Sequence, residues 1–566
     1  MHPRVETAGS CDVLIMGGGL AGLSLALQLR QRFPALQIQV LERRSHPVPE
    51  AAHKVGESTV ELGAHYFAEV LGLSEHFEQH QIKKFGFRFF FSEGRRDIDQ
   101  VTEIGPSRLL AMPSYQIDRG IFENFLAREV RARGVRFNDA ARITQLTLAE
   151  GDGLHQVQWL QDEQTHQLQA RWVIDACGRA GLIKAQLGLA QPNAHDCHAV
   201  WFRIADRIKI DDWSSNPAWQ NLCMPPERWR STNHLVGAGY WAWLIPLSSG
   251  SHSVGIVADP RFHALETMNS FDKAMDWLQT WQPGIHDAVR AALQGSRDKL
   301  QDFAFFRHFS YGCKQVFSGG RWALTGEAGL FLDPFYSPGS DFIAIGNTFI
   351  TELIAREQTG QAVDAHAAIY DQLYHSFYDS TLAMYQDQYA LFGEPEVLPV
   401  KVIWDYTYYW GVLSQIFIHG RLTDLRSLSA LRDELALCQR LNLAVQQLLR
   451  AWGETAGDAN PAVMLDQAEL PWFAALNASL KDTLDTAQFR QRLRDNAQML
   501  RELAAEILQR AGTLHPLLQA GPAAAALREQ LGAAAERDAT APQRLFAVSR
   551  SATPVAAAAG LGQPLA

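Results

Sequence analysis

Apolar positions along the 566-residue chain change their spacing several times, and the changes predict an order of elements. Residues 11–16 (CDVLIM) are a nearly unbroken apolar run, the pattern of a strand buried on both faces. Helical spacing follows over 20–32, then a second strand over 37–41 that ends at Glu42. Strand, helix and strand in that length form a βαβ unit. A helix is predicted from Ser58 to about Leu71-Gly72, and an aromatic strand over 84–91 (KFGFRFFF). Residues 115–133 read as a helix stopped by Gly134. Period-two alternation over 142–148 and 154–174 predicts further strands, the last running into WVIDACGRAG.

From about 195 to 310 strands mix with a helix near 263–295, and 322–346 reads as a return to the first domain. Beyond about 350 the pattern is helical to about 512. The last stretch is rich in Ala, Pro and Gln and predicts a flexible tail. The expected division is a nucleotide-binding part at 1–190, a mixed-sheet insertion at 191–310, a return segment at 311–350, a helical region at 351–512 and a tail at 513–566. The fold class is α/β.

Composition narrows the function. With 47% hydrophobic and 20% charged residues the chain is ordinarily globular. A net charge of −10 without a long basic run argues against nucleic acid or an anionic membrane as partner. No run reaches the ~18 apolar residues of a membrane span, and the N-terminus has no leader pattern. The six cysteines are scattered without a C-x-x-C pair, which predicts reduced thiols and a cytoplasmic location. His195-Asp196-Cys197-His198 has no second ligand cluster at zinc spacing, so no metal is expected.

Chemistry enters with G-x-G-x-x-G at Gly17, Gly19 and Gly22, directly after the first strand. Gly17 allows a tight turn, Gly19 lets the backbone approach a pyrophosphate, and Gly22 lets helix and strand pack closely. The helix starting at Leu20 and Ala21 offers unpaired N–H groups and partial positive charge to phosphates. Glu42 closes the second strand where a carboxylate accepts from a ribose hydroxyl, with Arg43 beside it. Only one such fingerprint is present.

Later segments specify the dinucleotide by resemblance. VIDACGRAG (173–181) and ALTGEAG (323–329) resemble the sequences that close over FAD in the large flavoprotein monooxygenase fold. The resemblance implies that Asp175 and Gly178 lie near the nucleotide half and Gly326 and Glu327 near the ribityl chain. Many relatives carry Asp at the position of Glu327. Y-x-x-D-R-x-x-F at 115–122 also matches and makes Arg119 a flavin or phosphate contact.

Four matches together resemble the flavin-dependent halogenases: GGGLAG, Val55-Gly56-Glu57-Ser58, W-x-W-x-I-P at Trp241, Trp243 and Pro246, and F-x-x-P-x-x-S-x-G at Phe331, Pro334, Ser337 and Gly339. The resemblance implies FAD, supplied as FADH₂ by a separate NAD(P)H flavin reductase, and a halide ion as co-substrate. It implies a flavin C4a-hydroperoxide whose distal oxygen halide attacks, and hypohalous acid that leaves for a separate aromatic pocket. A lysine there holds or orients the electrophile. Lys84-Phe85-Gly86-Phe87-Arg88-Phe89 fits the K-x-G-x-x-F of the phenol and carrier branches, which makes Lys84 the catalytic candidate; Lys83 and Lys54 compete for the role. Strand alternation puts Lys84, Gly86 and Arg88 on one face.

Alternation also puts Trp241 and Trp243 on one face, where they would exclude water and bulky substrates from the flavin. The halide site is expected at Pro338, Gly339 and Ser340, with Ser340 also near the flavin. Tryptophan halogenases supply an N–H at the position of Pro338, which has none, so the remaining donors are Gly339 and Ser340. Tyr336 stands where those enzymes carry a glutamate, which points away from free tryptophan and towards a phenol or pyrrole, free or carrier-tethered. Such a ring needs less help from a base. A homodimer is compatible with the resemblance. An aromatic hydroxylase, an isoprenoid-chain reductase with a lipid groove in its C-terminal helices, and a non-catalytic flavin-binding relative stay open on the same fold.

Overall fold

The computed structural model describes residues 5–50, 56–457, 459–535 and 542–546. Val5–Met16 is the centre of a sheet ordered Phe317–Ser318, Trp322–Leu324, Gln164–Asp175, Val5–Met16, Ile38–Leu41, Arg136–Asn138. All pairings between Trp322–Leu324 and Arg136–Asn138 are parallel. An apolar run such as Val13–Met16 is wholly buried here, as a strand covered on both faces requires. His155–Gln161 and Arg142–Thr147 extend Gln164–Asp175 as an antiparallel wing.

The second sheet is more composite than an insertion at 191–310 predicts. Its order is Leu300–Phe306, His198–Ile204, His252–Ala258, Tyr240–Pro246, Thr232–Gly237, Phe87–Phe90, Glu103–Gly105, Met464–Asp466. Three strands therefore come from the nucleotide-binding and helical stretches. The helix expected near 263–295 is two, Phe271–Trp281 and Pro283–Leu293, because Pro283 has no N–H to continue the first. The helix expected over 115–133 begins at Arg119, after a short strand at Tyr115–Gln116.

Gly339–Gln358, Asp364–Leu382, Leu398–Tyr408, Arg432–Gly453 and Thr486–Leu514 form the helical region. Helical structure runs past 512, through Pro516–Ala520 and Pro522–Leu531. Ala524, Leu527 and Leu531 are buried, so this part of the expected tail is held by packing rather than free. No helix among the described residues is long and apolar enough to cross a membrane.

Buried histidines give the fold an acid limit. His234 and His252 are both pushed down to about 3, chiefly by burial, which penalises the imidazolium. His252 Nδ1 accepts the Ile208 N–H at 3.3 Å. Between about 3 and 6.5 the unfolded chain binds protons that these residues refuse in the fold, so stability is intact above 6.5 and falls as pH drops. At about pH 5 each histidine costs up to roughly 2 kcal/mol. Urea midpoints at about pH 5 and about pH 7 should show this loss, and His252→Phe should flatten it.

Candidate functional site

The fingerprint turn, the Ala176–Ala180 loop and the N-terminus of Gly339–Gln358 converge on a cavity of about 780 Å³. Gly17, at φ +112°, lies so close to Ala176 that a Cβ would stand 2.3 Å from its carbonyl oxygen. A Cβ on Gly22 would meet the Gly17 carbonyl at 2.0 Å, so Gly22 serves the close packing and lines no cavity. Gly19 is different: nothing lies within 4 Å of where its Cβ would be, and it faces the cavity. Helix Leu20–Arg32 opens here with no acidic residue in its first turn. Glu42 braces the turn, accepting the Gly18 N–H at 2.6 Å and the Arg44 N–H at 2.7 Å.

Leu20, Ala21, Arg43, Arg119, Gly178, Gly326 and Glu327 all line this cavity. Arg119 pairs with Glu123 at 2.7 Å and is lowered to about 10 by burial. Arg179 pairs with Glu327 at 3.1 Å and lies 4.0 Å over the Phe306 ring. Asp175 is placed otherwise than the resemblance implies. It is fully buried behind the cavity wall and accepts the Cys177 and Ile183 N–H groups at 3.0 and 2.8 Å, shaping the loop rather than facing a ligand.

These residues fit FAD: two glycines where side chains would collide, one open to a phosphate, a helix N-terminus and a carboxylate at the ribose position.

Trp241, Trp243 and Ile245 line the cavity from one face of their strand; Pro246, expected with them, does not. The indoles are 5.6 Å apart, and Trp243 is seated by Gly255, where a Cβ would stand 2.2 Å from the ring. Gly255→Ala should therefore push the indole into the cavity and weaken FAD binding by about 1–3 kcal/mol, up to roughly 100-fold. Flavin fluorescence titration checks this.

Trp241 Nε1 donates to the Tyr389 hydroxyl at 2.9 Å, which in turn lies 2.6 Å from the Asp333 carboxylate. Asp333 also meets His195 Nε2 at 2.6 Å and accepts the Phe335 N–H at 2.8 Å. The ligand atoms of His195, Cys197 and Asp333 lie within 4.8 Å of one another, in a fully buried group. Residues 195–198 have no local ligand spacing; the run comes into the site only through the long-range pairing of His195 with Asp333.

Lys84 is the junction of the arrangement. The strand begins at Phe87, not at Lys84, because Gly86 takes φ +76° and breaks the alternation. Arg88 turns into a buried cluster with Glu103 and Arg228, while Lys84 swings to the opposite side with Phe87. The expectation that Lys84 and Arg88 share a face is thus overturned. Lys84 Nζ donates to Ser58 Oγ and the Thr59 carbonyl, both at 3.0 Å, and sits 3.2 Å over the Phe87 ring. Burial pulls its pKa well below the ordinary lysine range, against the attraction of Glu61 and Asp341. Ser58 and its partner Thr232 line the flavin cavity; Phe87 and Asp341 line a second, smaller one. Lys83 is exposed and pairs in a two-stranded ribbon with Tyr115; Lys54 and Val55 lie outside the described residues.

The second cavity is walled by tyrosines 336, 385, 406, 408 and 409 over an apolar floor of Val60, Phe87, Phe342 and Leu413. Tyr336 therefore belongs to this cavity and not to the flavin's. Its hydroxyl donates to Asp405 at 2.9 Å, and Lys401 holds Asp405 at 2.8 Å. Asp341 is raised to about 8, mainly by burial. Pro338 borders both cavities, and Ser337, Gly339 and Ser340 border the first. Asp341, Asp405 and Lys401 belong to no motif of the sequence. The signal for the last two is an i, i+4 charged pair in the otherwise apolar segment 398–413.

A family model described as "FAD binding domain" matches residues 10–274. The flavin-dependent halogenase chlA of Dictyostelium discoideum is 25% identical over 437 residues, covering 72% of this chain and 70% of that protein. A 1H-pyrrole-2-carbonyl-(peptidyl-carrier protein) brominase of Pseudoalteromonas luteoviolacea is 24% identical over 342 residues, 59% of this chain and 74% of that protein. Among solved structures, halogenase PltM in complex with phloroglucinol and FAD is similar in fold, with a TM-score of 0.62 at 17% identity over 88% of this chain and 96% of that one. The flavin-dependent brominase Bmp2 gives 0.53 at 20% identity over 67% and 87%.

Proposed function

We propose that the chain, an FAD-dependent oxidoreductase similar to the flavin-dependent halogenases, oxidises chloride or bromide and halogenates a small electron-rich ring, phenolic or pyrrolic, free or carrier-tethered. The observation that carries this reading is Lys84, set between the flavin cavity and the tyrosine-walled one. Bound FAD, once reduced, supplies the electrons with which oxygen is activated for halide oxidation.

The chain's own groups do the rest. The first-turn N–H groups of Gly339 and Ser340 have no partner within the helix and offer an anion site beside Pro338. Trp241 and Trp243 keep water and large rings from the flavin. Lys84 receives hypohalous acid on its way out and orients it by hydrogen bond or holds it as a haloamine. The second cavity takes the ring, with Asp341 in its wall. Reduced flavin comes from a separate NAD(P)H-dependent reductase. The C-terminal helices close a small cavity walled by tyrosine rings, which suits a compact aromatic better than a long isoprenoid chain.

Aromatic hydroxylation is the second reading, favoured by the N–H that Pro338 removes from the halide loop. FAD-loaded protein given chemically reduced FAD, oxygen and bromide or chloride separates the two on a panel of phenols and pyrroles. Halogenated products that vanish without halide support the proposal; oxygenated, halogen-free products overturn it.

A further inference from the structure

We propose that Tyr336 is a site of self-halogenation: when no substrate fills the second cavity, the protein substitutes its own phenol. The inference rests on the halide-oxidising reading above. Tyr336 lies on the loop that separates the two cavities, flanked by residues 334, 337 and 338, which border the flavin side. Its ring is 6.0 Å from Phe87, over whose face Lys84 Nζ stands at 3.2 Å. Phe87 is thus shared by Lys84 and Tyr336, and an electrophile that passes Lys84 into the second cavity finds the Tyr336 ring in its wall.

Chemistry is consistent with the same residue. A phenol is the kind of ring the site is built to halogenate, and Tyr336 donates its hydroxyl to Asp405, a carboxylate pinned by Lys401. That hydrogen bond raises electron density at the carbons ortho to the hydroxyl. Tyr406, at 6.1 Å from Phe87, is hydrogen-bonded to the Phe87 backbone instead, while Tyr409 shares the Asp341 carboxylate but does not lie on the loop between the cavities. The para carbon of a tyrosine carries its Cβ, so substitution goes ortho. The ring carbon attacks the halogen of hypohalous acid, the carbon–halogen bond forms and the oxygen–halogen bond breaks. The ortho hydrogen then leaves as a proton, which joins the released hydroxide as water. Ring C–H and hypohalous acid become ring C–halogen and water, with no further oxidant.

The test is a peptide map of FAD-loaded protein after turnover with reduced FAD, oxygen and bromide, without added substrate. A parallel run contains a soluble phenol that reports hypobromous acid. The expected result is bromine, recognised by its isotope pair, on the peptide holding Tyr336. The label should require bromide and fall when a phenol is supplied as competitor. Reagent hypobromite added to flavin-free protein should show no preference for Tyr336, because that buried ring is then reached from outside. If the reporter is brominated but Tyr336 is unmodified, or if label spreads over exposed sites alone, self-halogenation is wrong while halide oxidation stands. If neither reporter nor Tyr336 carries bromine, halide oxidation itself fails and the inference falls with it.

Discussion

Lys84→Met should abolish halogenated product, by roughly 10²–10⁴-fold in turnover, while FAD still binds. The separation follows from position. Lys84 borders the flavin side only through Ser58 and the second cavity only through Phe87, so the phosphate and ribose contacts are untouched. Methionine keeps the length of the stem over Phe87 and removes the amine alone. Burial already favours the neutral amine, whose lone pair is what haloamine formation needs. Product measured by mass spectrometry, beside a flavin titration, reads both halves of the expectation. Loss of product together with loss of FAD would mean that Lys84 is structural.

The second large effect is at the fingerprint, where two glycines should fail differently. Gly22→Ala forces a methyl against the Gly17 carbonyl oxygen at 2.0 Å, backbone against side chain, with no flexible atom to yield. It should destabilise the protein by about 1–3 kcal/mol or more and yield it flavin-free. Gly19→Ala meets nothing within 4 Å, so the fold should be unaffected. Its methyl occupies the approach of the pyrophosphate, so FAD retention should be lost all the same. Thermal melts with flavin quantitation on both variants distinguish packing from contact. Equal destabilisation of the two would contradict the assignment.

What could be read in the sequence is what depends on local spacing. The βαβ unit, the fingerprint and the Trp241–Trp243 face follow from period-two and period-3.6 patterns within one element. Lys84 was identifiable as a residue, but its direction was not, because one left-handed glycine at position 86 resets the alternation. Long-range pairing hid the rest. Asp333 joins His195 and Tyr389 across 138 and 56 residues, and strand Phe87–Phe90 pairs in parallel with Thr232–Gly237. The resemblance implies that Asp175 lies near FAD, yet its two backbone hydrogen bonds make it a shaper of the loop.

In the proposed reaction the protein spends reduced flavin on halide. Its most direct test is a single-turnover stopped-flow experiment: FAD-loaded, reduced protein mixed with oxygenated buffer while bromide and chloride are titrated, with flavin absorbance followed to full reoxidation. A phase whose rate rises with halide and saturates is expected, and Lys84→Met should keep that phase while losing halogenated product. Flavin reoxidation indifferent to both halides would contradict halide oxidation and leave hydroxylation as the reading of this site.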